Sequence, residues 1–169
     1  MNSYTASTGS LGMASGPGPT NPAPRRILLV DDDPINQMVA LGLLRRHGWD
    51  AIAAANGKEA LQILTRQSVD LILLDLQMPE MDGYETAVII RQNEAQSAPP
   101  PTPRESLGDR VRERTTLPGS RIPIIALTTA SQPGVREKCL ASGMDDFLTK
   151  PVNPRELYAT VEKHLSGHT

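Results

Sequence analysis

Aromatic residues are scarce in this chain: one Trp, three Tyr and one Phe make up 3% of 169 residues. Any core must therefore be built mainly from aliphatic side chains, which at 38% hydrophobic overall are plentiful enough for one ordinary globular domain. The only cysteine, Cys139, excludes an internal disulfide and fits a reducing compartment. No apolar run approaches the roughly 18 residues needed to span a bilayer, and no basic segment followed by an apolar block opens the chain. A dominant charge sign is missing too. With 17 basic and 19 acidic residues and a net charge of -2, nothing suggests binding to nucleic acid or to an anionic membrane. Charge is absent altogether from residues 1–24, MNSYTASTGSLGMASGPGPTNPAP, which cannot bury enough apolar surface to offset their ordering entropy and read as a flexible linker or tail. A soluble, cytoplasmic protein is the expectation.

What is present is a rhythm. Short aliphatic runs predict strands at RILLV (26–30), 50–54, LILLD (71–75), PIIALT (123–128) and FLT (147–149). Between and after them, amphipathic stretches predict helices from about 34 to 47, 58–64, 84–93, 135–142 and 154–165. Asp33-Pro34 reads as an N-cap and first-turn proline, with Ile35, Met38, Val39 and Leu43 on one helix face and Gly48 as the stop. Met38, Met78, Met81 and Met144 read as packing residues, and Gly83 as a source of backbone freedom before the third helix. Strands alternating with helices imply right-handed crossovers and a parallel sheet covered on both faces, a three-layer doubly wound α/β sandwich. One stretch breaks the rhythm. Residues 94–121, EAQSAPPPTPRESLGDRVRERTTLPGSR, are too long for an ordinary connection and read as an insertion. Its PPPTP centre is expected to be extended, and RESLGDRVRERT to form at most a short polar helix in a surface loop.

In such sheets ligands bind beyond the carboxyl ends of the strands. The first strand runs into Asp31, Asp32 and Asp33, the third ends on Asp75, the fourth on Thr128 and Thr129, and the fifth on Lys150-Pro151. Asp75 closes a fully apolar run, where an isolated charge is costly unless it meets water or a cation. Two carboxylates about 4 Å apart repel by roughly 4 kcal/mol at an effective dielectric of 20. A hard divalent cation relieves that repulsion, and all-oxygen ligands suit Mg²⁺. A carboxylate beside the metal can attack phosphorus, with Lys150 and the Thr128 hydroxyl stabilising the transferred group. On this reading Asp75 is the phosphoacceptor. Asp33 is only a cap.

VDDDPINQ, LLDLQMPEMDG, PIIALTTA and CLASGMDDFLTKP together resemble the successive signatures of two-component receiver domains, most closely those of hybrid histidine kinases and phosphorelays. The resemblance covers residues 25–166 apart from the insertion, with 167–169 as a tail. It implies a flavodoxin-like (βα)5 fold with a five-stranded sheet in the order 2-1-3-4-5. It also implies that Asp75 accepts phosphoryl from a histidine kinase or a histidine-phosphotransfer protein. Mg²⁺ would be held by Asp31, Asp32, Asp75 and the backbone carbonyl of Gln77. Thr128 and Lys150 would bind the phosphoryl group, Thr128 and Phe147 would form the switch, and Lys150-Pro151 would be a cis peptide. A monomer that assists its own phosphorylation and dephosphorylation is implied, free or as part of a membrane-anchored hybrid kinase. Thr129 departs from the small residue usual after Thr128.

Other classes fit less well. An aspartyl-phosphate phosphatase needs a second Asp two positions after the nucleophile, where this chain has Gln77. A flavin carrier needs a hydroxyl- and glycine-rich loop after the first strand, and DDDPIN would repel its phosphate. The remaining alternative is a receiver-like module that binds partners without being phosphorylated. His47, His164 and His168 make no ligand spacing, and Cys139 reads as a packing residue.

Overall fold

The computed structural model describes residues 23–97, 121–129 and 133–167. Strands and helices alternate through them: β1 (Arg26–Val30), α1 (Pro34–Arg46), β2 (Asp50–Ala54), α2 (Gly57–Arg66), β3 (Leu71–Asp75), α3 (Gly83–Ser97), β4 (Ile124–Thr128), α4 (Val135–Ala141), β5 (Asp146–Thr149) and α5 (Pro154–Ser166). The strands form one parallel sheet in the order β2-β1-β3-β4-β5. The order reverses between β1 and β3, so the crevice at their carboxyl ends lies at the switch point.

Alternation along the strands divides the core in two. Ile27 and Leu29 of β1, Leu71 and Leu73 of β3, and Ile125 and Leu127 of β4 pack with Ala40 and Leu44 of α1 and Leu157, Val161 and Leu165 of α5. Leu28, Val30, Ile72, Leu74, Ile124 and Ala126 face the other way, against Ala60 of α2, Ala87 and Ile90 of α3 and Cys139 of α4. Both faces of β3 are thus covered, which is why LILL reads as a continuous apolar run rather than an alternating one. At the foot of α1, His47 stacks on Trp49 at 4.0 Å and meets Tyr158 of α5 at 4.5 Å, whereas Tyr84 and Phe147 pack in the opposite layer. No helix among the described residues is long and apolar enough to cross a membrane.

Four expectations need correction. The face of α1 carrying Ile35, Met38 and Val39 does not enter the core; these residues are 66%, 69% and 54% exposed. The inward stripe is instead Gln37, Ala40 and Leu44, and Gln37 is polar because its amide donates to the carbonyls of Asp31 (2.6 Å) and Ala54 (3.1 Å). Met38 is accordingly not a packing residue, whereas Met78 and Met144 are buried.

Gly83 is not needed for unusual dihedral freedom. A side chain there would collide with the carbonyl oxygen of Asp75, so the residue is small to let α3 start against the end of β3. Among the described glycines, positive φ occurs instead at Gly48 (+98°), where α1 stops, and at Gly134 and Gly143 around α4.

Finally, α3 continues to Ser97, so residues 94–97 are helix rather than insertion. The added turn is held by Glu94, which pairs with Arg91 at 2.7 Å and accepts the Ile122 N–H at 2.8 Å. The extended and helical readings of 98–120, and nearly all of the linker read at 1–24, lie outside the described residues.

Candidate functional site

The carboxyl ends of β1, β3, β4 and β5 converge on one pocket. Asp31 follows β1 and is 1% exposed, Asp75 ends β3 at 4%, and Thr128 ends β4 at 3%, whereas Asp32 stands in solvent. Lys150, just beyond β5, reaches across the sheet. Its ammonium lies 2.7 Å from Asp31 Oδ2 and 2.9 Å from Asp75 Oδ2. The Lys150 backbone N–H donates to the Thr128 carbonyl at 2.7 Å, and the Lys150–Pro151 peptide bond is cis.

Each carboxylate is fixed by backbone as well. Asp31 Oδ1 accepts the Asp33 N–H at 2.9 Å, and Asp75 Oδ1 accepts the Gln77 N–H at 3.1 Å. The Asp33 side chain caps α1, accepting from the Ile35 and Asn36 N–H groups, and lies outside the acidic cluster. One oxygen each from Asp31, Asp32 and Asp75 fall within 4.8 Å of one another.

The electrostatics follow from burial. Removal from water pushes the Asp75 carboxyl above its ordinary value of 3.8; the Lys150 hydrogen bond, the Gln77 N–H and the Lys150 charge oppose this without cancelling it, and the Asp31 charge adds to it. For Lys150, burial is the largest single influence and favours the neutral amine. The hydrogen bonds and charges of Asp31 and Asp75 together outweigh it and hold the ammonium above 10.5. The lysine is therefore a fixed cation at neutral pH. With the acids ionised, three carboxylates against one ammonium leave two negative charges uncompensated, and the donor set is all oxygen. That set fits a hard divalent cation.

Phe147 is outside the pocket. It is half-buried against the core layer of α2, α3 and α4, and pairs in register with Ala126, two residues before Thr128. Strand periodicity puts Ala126 and Thr128 on the same face, so Phe147 lies on the side of the sheet to which Thr128 points.

Two features were missed from sequence. One is the exposed apolar triad Ile35, Met38 and Val39 on the first turns of α1, beside the pocket. Its spacing was visible, but a helix with apolar residues on two faces does not say which face is covered. The other is Gln37, whose fixing of the Asp31 carbonyl left no pattern to read.

Known proteins share this fold. The family profile "Response regulator receiver domain" matches residues 27–101. The receiver domain of a sensor histidine kinase from Pseudomonas aeruginosa PAO1, solved with a magnesium ion coordinated in its active site cleft, is 34% identical. Their superposition covers 85% of this chain and 99% of that one, with a TM-score of 0.65. The Vibrio cholerae chemotaxis protein CheY4 is 30% identical, covering 83% and 98% of the two chains with a TM-score of 0.65. The chain belongs to the response regulator receiver domain family. Among longer relatives, probable histidine kinase 4 of Oryza sativa subsp. japonica is 35% identical over 142 residues. Hybrid signal transduction histidine kinase I of Dictyostelium discoideum is 33% identical over 147. These alignments take in 83% and 84% of this chain but only 14% and 7% of those proteins.

Proposed function

We propose that this receiver domain, residues 25–166, takes a phosphoryl group from a phosphohistidine donor onto Asp75 and changes conformation in response. The observation that carries the reading is the partly buried Lys150 ammonium bridging Asp31 and Asp75 at 2.7 and 2.9 Å, with a third carboxylate at hand. A purely structural ion pair would need neither the second acid nor the exposed third one.

An Asp75 oxygen attacks phosphorus while the P–N bond of the phosphohistidine breaks, its electron pair returning to the imidazole. Lys150 and the Thr128 hydroxyl bind the phosphoryl oxygens and stabilise the charge they carry. Asp31, Asp32, Asp75 and the Gln77 carbonyl are the residues that would hold Mg²⁺. When bound, the cation supplies the positive charge that lets an anionic donor approach an acidic pocket. The acyl phosphate adds about 1.5 to 2 negative charges. Thr128 is drawn toward them, and Phe147, on the same side of the sheet, repacks as Thr128 moves.

The test is intact mass after incubation with acetyl phosphate. A single phosphoryl adduct in Mg²⁺, absent in EDTA, is the expected result. No adduct in either condition would leave the domain as an interaction module that works without phosphorylation.

The donor is a histidine kinase or a histidine-phosphotransfer protein, and α1 is the surface on which it lands. Ile35, Met38 and Val39 form an exposed apolar stripe whose upper end adjoins Asp31 and Asp32. A partner covering that stripe brings its phosphohistidine over the pocket. Val39→Asp is expected to slow transfer from a phosphohistidine protein at least about tenfold, the loss of one good apolar interface contact. Labelling by acetyl phosphate is expected to stay as in the parent. Equal loss with both donors would show that the change damaged the pocket rather than the docking surface.

A further inference from the structure

Asp31 and Asp32 are neighbours in the chain but are held in different ways. The Asp31 carboxylate is gripped twice, by the Lys150 ammonium at 2.7 Å and the Asp33 N–H at 2.9 Å. The Asp32 side chain stands in solvent and, among the described residues, has no hydrogen-bonded or ion-paired partner. Its direction is therefore set by the two peptides that flank it. The one that follows is fixed by the bond from the Asp33 N–H to Asp31 Oδ1. The one that precedes is fixed by Gln37, whose amide donates to the Asp31 carbonyl at 2.6 Å and to the Ala54 carbonyl at 3.1 Å. The Ala54 carbonyl also accepts the Asp31 N–H at 3.2 Å, so this one amide ties the ends of β1 and β2 together. Gln37 offers it from a formed helix: the residue is half-buried on α1, and its own N–H donates to the Asp33 carbonyl at 3.0 Å.

We infer that Gln37 is a positioning residue that aims the Asp32 carboxylate, and so sets how tightly the acidic cluster holds a divalent cation. The inference rests on the reading above, in which Asp31, Asp32 and Asp75 hold Mg²⁺. This cation demands near-ideal octahedral geometry, so its affinity depends on how well each oxygen is placed before it arrives. The aspartate side chain is short, and a turn of the peptide before it swings the carboxylate off line. Asp31 escapes this effect, since Lys150 and the Asp33 N–H hold its carboxylate without help from Gln37. Loss of the amide therefore falls on Asp32. Groups that orient metal ligands from behind typically contribute roughly 10- to 100-fold in affinity.

The experiment reads Mg²⁺ affinity of the whole chain from the rise of melting temperature with Mg²⁺ concentration, with melting in EDTA recorded alongside. Gln37→Met keeps the length and removes the donor. It is expected to weaken Mg²⁺ binding about tenfold, and to raise the Mg²⁺ concentration for half-maximal labelling by acetyl phosphate by the same factor. Asp32→Ala is expected to weaken binding at least as much. Adding Gln37→Met to Asp32→Ala is expected to cost nothing further, because no carboxylate is left to aim. Gln37→Asn draws the same amide back by a methylene and is expected to lose about threefold; it decides the matter if the methionine variant does not fold. A lower melting temperature in EDTA with parental Mg²⁺ affinity would overturn the inference, leaving Gln37 as a structural tie. Losses that multiply in the double variant would overturn it equally, since Gln37 would then act on the cation by a route other than Asp32. A parent whose melting ignores Mg²⁺ removes the metal reading itself and the inference with it, an outcome distinct from a parent that binds and a Gln37 variant that binds equally well.

Discussion

Asp75→Asn is expected to abolish the Mg²⁺-dependent phosphoryl adduct and, in metal-free buffer at neutral pH, to raise the melting temperature. The first effect removes the carboxylate proposed to take the phosphoryl group, which is buried 2.9 Å from the Lys150 ammonium. The second follows from the energetics of the acid. Burial holds the folded-state carboxyl above the ordinary 3.8, so the folded protein binds this proton more tightly than the unfolded chain does. The associated stability is fully present below about pH 4, near the unfolded value, and is lost as pH rises through the folded value. At neutral pH the ionised, desolvated Asp75 is therefore a cost. The asparagine removes that cost, and Lys150 keeps Asp31 as its partner at 2.7 Å. A gain of about 1 kcal/mol corresponds to roughly 2–4 °C for a chain of this size. The gain should be clear at pH 7 and shrink toward pH 4. A variant that melts below the parent at pH 7 would show that the Lys150–Asp75 pair is worth more than its desolvation costs.

Arg91→Ala is expected to cause the largest loss of stability of any single change on the surface of α3. The Arg91 side chain is only 14% exposed and uses its whole fork. Nε donates to the Gly143 carbonyl at 2.8 Å, Nη1 to Glu94 at 2.7 Å and to the Ile122 carbonyl at 2.9 Å, and Nη2 to Asp145 at 2.9 Å. One guanidinium thus ties the last turns of α3 to the residues leading into β4 and to the turn between α4 and β5. Truncation leaves the partly buried Glu94 without its cation. Asp145 retains Arg121 at 2.9 Å and the Ile124 N–H. The expected cost is about 3 kcal/mol, or roughly 6–12 °C in melting temperature. Arg91→Lys is expected to recover little, since one ammonium cannot serve four acceptors spread around a planar fork. Urea unfolding of the three proteins gives the comparison. A cost below about 1 kcal/mol for the alanine variant would mean that the network is solvated and that backbone packing alone holds these segments.

Such a hub also bears on the chain's long connection. Arg91 and Glu94 stand just before residues 98–120, and Arg121 and Ile122 just after them. The two ends are pinned to each other by ion pairs and backbone hydrogen bonds, so the parallel pairing of β3 with β4 does not depend on a short link between them. From sequence, the same stretch showed the length of the interruption, an extended PPPTP centre and a short polar helix, but not what holds its two ends. The helix boundary was placed too early because Glu94-Ala95-Gln96-Ser97 leads into prolines and carries no apolar periodicity. What keeps that turn helical is a tertiary hydrogen bond from Ile122.

The sequence by itself determined the element order, the doubly wound sheet and the residues at its strand ends. These follow from local rules: aliphatic runs bounded by turns, caps such as Asp33 before Pro34, and polar groups placed where a buried strand stops. It also singled out Asp31, Asp32, Asp75, Thr128 and Lys150, because acids, a hydroxyl and an amine at those ends have one shared meeting place. Three things were decided only by the tertiary structure. The solvent face of α1 was one, since Gln37 turns inward to hold two carbonyls and so rotates Ile35, Met38 and Val39 outward. The role of Gly83 was another, set by the approach of α3 to the Asp75 carbonyl. The third was the pairing of Thr129 with Gln77, residues 52 positions apart in the chain that meet at the mouth of the pocket. Periodicity and capping act over a few residues, whereas contacts between different strands depend on how the sheet brings them side by side.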